Sequence, residues 1–199
     1  EYPIFFRRDE AGAFYAIALL GFDRDENLFL DGEGWDARYV PAGQDRGPFL
    51  LGFREGTDKD APMMLMEPAH PRLSRSAGAP LFLPHGGNAP VLERYLQVLR
   101  TLHGGLGLND DVFAAWLEAG IVAPVKVDIR IDDTTGYDIP DLFSISAEAL
   151  AGLEGAVLVR LNESGYLAMA FHVLASLGNV PHLIALKTRK RQNPQRLGA

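Results

Sequence analysis

Residues 125–132 alternate without a break: Val125, Val127, Ile129 and Ile131 are apolar, while Lys126, Asp128, Arg130 and Asp132 are charged. A period of two places one set on each side of a strand, so the stretch reads as a half-buried strand with one wet face. Asp133-Thr134-Thr135-Gly136 then reads as a turn that returns the chain into a second strand, Tyr137 through Ser144. Strands joined this tightly run antiparallel. That hairpin sets the kind of sheet against which the rest of the chain has to pack.

The first ninety residues add strands to it. Residues 3–8, 14–22, 27–30, 48–54 and 63–66 are apolar or aromatic runs divided by turn residues, among them Asp9-Glu10-Ala11-Gly12 and Glu55-Gly56-Thr57-Asp58. Thirteen prolines, many of them here, predict short strands and edges. Residues 70–79 read as a loop. After Pro90 the period changes. Val91, Leu92, Tyr95, Leu96, Leu99 and Leu102 recur at three and four, which predicts an amphipathic helix interrupted at Gly104, Gly105 and Gly107. Asp110 is placed to cap a second helix carrying Val112, Phe113, Trp116 and Leu117, which Gly120 stops. Ser146 can cap a short helix through Leu153, and Ser164 opens a last helical region that residues 178–181 kink. The expected fold is α+β: a curled antiparallel sheet from the N-terminal half and residues 121–145, covered by helices near 91–119 and 164–191. A chain of 199 residues fits one domain over 1–199.

Several classes of function fall away on composition. There are no cysteines, which removes disulfides, thiolate metal sites and thiol nucleophiles together. The net charge is −7, and no acidic residue follows Glu163. Lys187, Arg189, Lys190, Arg191 and Arg196 give that last segment +5, leaving −12 for the rest. An acidic body is a poor nucleic-acid surface, so no nucleic acid is expected as partner. The basic end reads as cations favoured at a helix C-terminus, with contact to an acidic partner as the alternative. The apolar runs, divided at 178–181, fall short of the ~20 residues that a membrane helix needs, so no membrane span is expected. Tyr2 to Phe6 already reads as strand, and residues ahead of Glu1 are expected to be missing. The expected compartment is the cytoplasm, with the cell surface as alternative should an N-terminal segment be missing.

Catalytic templates fail at their demanding positions. Gly32, Gly34 and Ala37 form G-x-G-x-x-A, but the dinucleotide mechanism needs a helix to start there, and Trp35 to Pro41 reads as extended. Asp23, Asp25 and Asn27 begin a calcium-loop pattern that puts Leu28 where Gly is required and Gly34 where a bidentate Glu is required. His70, His85, His103, His172 and His182 form no metal-ligand spacing, so no metal and no cofactor are expected. His85-Gly86-Gly87-Asn88 has the form of an esterase oxyanion loop, yet no serine sits on the required elbow. Asp132, Asp133, Asp138 and Asp141 flank the hairpin as an acidic turn. Trp35, Asp36, Arg38 and Tyr39 remain as binding candidates, since aromatic and Arg side chains together mark many binding surfaces.

The order of Tyr2-Pro3-Ile4-Phe5-Phe6, Ala18-Leu19-Leu20-Gly21-Phe22, residues 26–42 around Trp35-Asp36-Ala37-Arg38-Tyr39, Pro48-Phe49-Leu50-Leu51-Gly52, Ala79-Pro80-Leu81-Phe82 and His172 through Asn179 resembles the SapC family of bacterial proteins. Members are longer, with a segment ahead of the Tyr-Pro motif, and residues 44–47 depart from the more basic, aromatic segment of the family. The resemblance implies a role linked to a surface layer or an outer-membrane uptake system, and no catalytic residues. The leading expectation is therefore a non-catalytic accessory protein with a protein partner, with self-association into a homo-oligomer left open. The alternative is a small-molecule binder or enzyme whose site is assembled from dispersed residues, with Asp36, Arg38, His85 and Asn179 as the first candidates.

Overall fold

The structure, a computed structural model, describes residues 1–31, 34–53, 62–131 and 134–192. In chain order its strands are β1 Ile4–Arg8, β2 Phe14–Ala18, β3 Leu30–Asp31, β4 Gly34–Trp35, β5 Phe49–Gly52, β6 Met63–Met66, β7 Val122–Arg130 and β8 Gly136–Ile145. Its helices are α1 Ala42–Asp45, α2 Pro90–Glu118, α3 Ala147–Ala151, α4 Gly155–Glu163, α5 Tyr166–Ser176 and α6 Val180–Gln192, with a 3-10 turn Leu177–Asn179 between the last two. This is the α+β class expected, with antiparallel sheets and helices mostly in the C-terminal half. The chain divides into two compact units, Glu1–Arg38 with Asn109–Ala199, and Tyr39–Leu108.

The first unit is built on the hairpin read from the alternation. Its four-stranded antiparallel sheet has the order β2-β1-β8-β7. Phe6 faces Phe143 across β1 and β8, and Val122 faces Ile145 across β7 and β8. Phe6, Phe14, Phe113, Trp116, Ile121 and Ile145 form the centre of its core, with Leu161, Ala170 and Val173 from α4 and α5 against them. Such burial supplies about 1.5–3 kcal/mol per large side chain. Lys126, Asp128 and Arg130 stay exposed, which is the wet face the alternation requires. The turn residues Asp132 and Asp133 lie outside the described residues, as do Gly32 and the turn at residues 55–58.

In the second unit β5 and β6 pair alone, with Phe49 opposite Met66. Phe49, Leu92 and Leu99 are its buried centre, and Tyr95, Leu96 and Leu102 pack on them. This is the amphipathic stripe read from the sequence.

Four expectations are corrected. The strands of the N-terminal half do not all join one sheet, since β3/β4 and β5/β6 are separate two-stranded sheets. Gly104, Gly105 and Gly107 do not break the helix, because α2 runs through them for 29 residues. Each glycine costs roughly 1 kcal/mol against Ala, but the stripes on either side are anchored in packed cores, and that burial outweighs the propensity. Asp110 consequently lies inside a helix and caps nothing. Residues 27–30 are mostly not strand: Asn27 Oδ1 accepts from the Phe29 amide at 3.0 Å, a local bond that competes with a ladder. Finally, Ser164 ends a helix the sequence did not show, α4, and its hydroxyl donates to the Leu161 carbonyl at 3.1 Å. Ser146 does cap α3, accepting from the Ala149 amide at 3.1 Å.

Candidate functional site

The densest arrangement of charge among the described residues lies where α6 meets residues 22–36, both within the first unit. Tyr2, Leu28, Phe29, Leu183 and Leu186 bury one another there, and Leu19, Leu20, Phe22, Trp35 and Ala37 pack around them. This apolar patch carries Lys187 inward until its side chain is only 9% exposed. Its Nζ donates to Asp23 Oδ2 and to Glu26 Oε1, each at 2.5 Å, and lies 5.5 Å from the centre of the Tyr137 ring. The Tyr137 hydroxyl donates to the same Asp23 oxygen at 3.2 Å. Glu26 uses its other oxygen to accept from the amides of Phe22 at 3.0 Å and Asp23 at 3.3 Å. Gly21 permits this fold-back: a Cβ there would lie 2.6 Å from the Glu26 carbonyl oxygen.

Burial acts against the Lys187 charge, but the bonds to Asp23, Glu26 and Tyr137 outweigh it and hold the ammonium above its ordinary range. The hydrogen bond from Lys187 is the main reason Asp23 is held below the ordinary carboxylate range. Such an ammonium is a poor base and a poor nucleophile, because its lone pair is protonated at all ordinary pH. The arrangement is a clamp. Farther along α6, Arg189 Nη2 donates to Asp36 Oδ2 at 2.6 Å, and Lys190 Nζ donates to the carbonyls of Leu30 and of Asn27, the latter at 3.3 Å. The basic end of the chain thus meets an acidic segment of the same chain 150 residues or more away in sequence.

The sequence candidates can now be placed. Trp35 packs on this patch, stacks with Phe29 at 6.2 Å, and donates from Nε1 to the Tyr2 hydroxyl at 2.9 Å. Asp36 holds Arg189, and its amide donates to the Phe29 carbonyl at 2.7 Å. Arg38 projects into solvent, while its amide donates to both carboxylate oxygens of Glu1 at 3.0 and 3.1 Å. Asn179 lies in the 3-10 turn and donates to the Ser176 carbonyl at 3.0 Å. Tyr39 and His85 belong to the second unit, Tyr39 on its surface and His85 in the exposed turn closed by the Leu83 and Gly87 backbones. The structure therefore unites Trp35 and Asp36 through α6 and gives the other four separate local surroundings. Gly34, at φ +131°, and Trp35 form strand β4, so no helix N-terminus faces a pyrophosphate there. No group of three or more metal-ligating side chains converges among the described residues.

Two features were not read from the sequence. The first is the surface of α5. Ala170 and Val173 point inward, while Ala168, Met169, Phe171, His172 and Ala175 are exposed, Phe171 by 56%. The helical run Tyr166–Gln192 contains an 18-residue window of mean hydropathy 1.4, long and apolar enough to cross a membrane by length and composition. Dividing the run at 178–181 hid this, because the chain stays helical across the 3-10 turn. The second is a groove at the end of β1, lined by Arg7, Arg8 and Tyr15. Its only sequence signal is a pair of adjacent arginines before a turn.

Comparison with known proteins adds one finding. The family model described as SapC matches residues 1–183, which takes in β1 through the first residues of α6 and the acids of the clamp, while Lys187, Arg189 and Lys190 lie past its end. No curated protein and no solved structure matches the chain.

Proposed function

The chain belongs to the SapC family, and from that premise we propose that it is a non-catalytic accessory protein that holds another protein in a bacterial surface layer or outer-membrane uptake system. The observation that carries this reading is the uncharged outward face of α5. Met169 and Phe171 are large apolar side chains turned to solvent on a helix with no acidic or basic residue except His172. Exposed apolar faces of this kind mark interaction surfaces, and an aromatic anchor such as Phe171 is a typical centre for one. The clamp supports the non-catalytic part of the reading. Asp23, Glu26 and Asp36, three of the charged groups in or beside the family-defining stretch, are engaged with Lys187 or Arg189 and are not turned toward a vacant reacting position.

The test is paired capture from extracts of the native bacterium, using the wild type and a Phe171→Glu variant whose circular dichroism matches it. A defined partner retained by the wild type and lost from the variant supports the reading. The same proteins on both baits, or none on either, ends it.

A further inference from the structure

We infer that strand β6 is a self-association edge, on which a second copy of this chain pairs antiparallel and extends the two-stranded sheet of the second unit to four strands. The inference does not rest on the partner-binding reading of α5. It starts from the direction of the backbone. In an antiparallel pair, positions that exchange hydrogen bonds alternate with positions whose amide and carbonyl point away from the partner strand. The Glu67 amide donates to the Pro48 carbonyl at 2.9 Å, which makes Leu50 with Leu65, and Gly52 with Met63, the hydrogen-bonded positions. Phe49 opposite Met66 and Leu51 opposite Met64 are the alternate positions. Phe49 and Leu51 therefore turn their backbone groups outward from β5, and Met64 and Met66 turn theirs outward from β6. The β5 edge is partly occupied: the Phe49 amide donates to the Arg46 carbonyl at 3.2 Å, and the Phe49 carbonyl accepts from Arg46 Nη1 at 2.8 Å. On β6, the outward amides and carbonyls of Met64 and Met66 meet no partner among the described residues, and no third strand joins the sheet.

Proteins blunt an open edge with charge, with a bulge or with a proline inside the strand. The edge strand β7 has such protection: Lys126, Asp128 and Arg130 stand along it, and its register shifts between Val125 and Val127. β6 reads Met63-Met64-Leu65-Met66, uncharged and in unbroken register, with prolines only outside it at 62 and 68. Leu65 and Met66 are 46% and 47% exposed. The strand also fits itself. With Met64 of one copy opposite Met66 of the other, every outward amide and carbonyl of these residues finds a partner across a two-fold axis. Sliding by two residues in either direction brings Pro62 or Pro68 into the pairing, and proline has no amide to donate. In the matched register Leu65 faces Leu65 of the second copy, with about 4.5 Å between Cα atoms. Charge favours this occupant. Each copy carries −7, yet residues 62–66 carry none, so two copies meet where nothing repels and a charged strand would find no counter-charge. Area fixes the strength. An edge of four residues covers well under the ~1,200 Å² of stable complexes, so the dimer is weak, with a dissociation constant of roughly 100 µM. The pairing consumes the β6 edge of both copies, which closes the assembly at two.

The experiment uses the full chain labelled with ¹³C at the methionine methyls, whose four signals belong to Met63, Met64, Met66 and Met169. Spectra and sedimentation velocity are recorded from about 20 µM to about 1 mM, a range that brackets a weak interface. The expected result is a saturable, concentration-dependent shift of Met64 and Met66 as sedimentation moves from monomer to dimer. Met169, which reports the α5 face, should stay still. Leu65→Lys sets like charges opposite each other at an exposed position and should weaken the dimer more than tenfold. Met66→Pro deletes an outward amide that β5 does not use and should do the same. Raising sodium chloride from about 50 to about 500 mM should tighten the dimer, because it screens the repulsion between two acidic copies. A monomer throughout, a dimer that shifts Met169 in place of Met64 and Met66, or equal dimerisation by the wild type and Leu65→Lys overturns the inference. Met66→Pro keeps the test decisive should Leu65→Lys fail to fold.

Discussion

Replacing Lys187 with Met is the most direct probe of the clamp, because Met retains most of the buried stem and removes only the charge. The ammonium has 9% of its side chain exposed, Glu26 has 21% and Asp23 has 55%. Removing one member of a fully buried pair costs about 3–5 kcal/mol, but water compensates Asp23, so the expected loss is about 2–3 kcal/mol. With a urea dependence of about 2 kcal/mol per molar, the midpoint should fall by about 1–1.5 M. Glu26→Gln should cost less, at about 1–2 kcal/mol, since one oxygen still meets the Phe22 and Asp23 amides. Asp23→Asn should cost below about 1 kcal/mol, as expected of an exposed partner. Urea denaturation followed by tryptophan fluorescence is the assay, because both tryptophans, Trp35 and Trp116, lie in the first unit. The pH dependence has a definite sign. Asp23 is held below its ordinary 3.8, so its contribution is present above that pH and is lost as the pH falls below it. Lys187 is held above its ordinary 10.5, so its contribution is present below that pH and is lost as the pH rises past it. Lys187→Met should flatten both limbs. A variant within about 0.5 kcal/mol of the wild type, or Asp23→Asn costing more than Lys187→Met, would refute the burial argument.

The other predictions concern packing. Gly21→Ala places a Cβ 2.6 Å from the Glu26 carbonyl oxygen and should cost about 1–3 kcal/mol, read from the same denaturation curve. Trp35→Phe keeps the stacking on Phe29 but loses the bond to the Tyr2 hydroxyl, and should cost about 1 kcal/mol. Ser144 is fully buried with no partner for its hydroxyl, so Ser144→Ala should stabilise by about 1 kcal/mol, seen as a raised urea midpoint. Gly104→Ala with Gly105→Ala meets open space on a helix, and should raise the thermal midpoint by removing about 0.5–1 kcal/mol of helix cost at each position.

What the sequence made legible was periodic and local. Val125, Val127 and Ile129 appear as β7, and Leu92, Tyr95 and Leu99 appear as one face of α2, because a period of two or of 3.6 is written in neighbouring residues. Ser146 was equally readable, because a cap acts within three residues. The clamp was not readable. Lys187 lies 164 residues from Asp23 and 161 from Glu26, and no local pattern records which distant acid meets which distant base. The same holds for Arg8 between Phe14 and Phe143. Asp141 in its left-handed conformation, at φ +57°, was hidden for another reason, since Asp occurs in turns of many kinds. The glycines of α2 mislead because helix propensity is local, while the burial that overrides it lies at either end of the helix.

The stretch that identifies the family and the surface that would meet a partner are therefore different parts of one mechanical unit. Trp35 and Asp36 carry the family signature, yet their side chains face Tyr2, Phe29 and Arg189. Their contacts with the C-terminal helices are made through α6. That helix continues from α5 through the 3-10 turn Leu177–Asn179 without leaving helical geometry. Holding Lys187 and Arg189 in place thus holds the end of the same rod whose other end presents Met169 and Phe171. A binding face on an amphipathic helix is only as well defined as the contacts that fix its rotation, because a turn of 100° per residue carries Phe171 from solvent into the core. The Ser176 hydroxyl, which accepts from the Ile4 amide at 2.9 Å, and the clamp beyond it supply two such contacts on the same run. Trp35 and Asp36 thus help to hold the run that carries the α5 face, while Arg38 and Tyr39 of the same motif stay open to solvent.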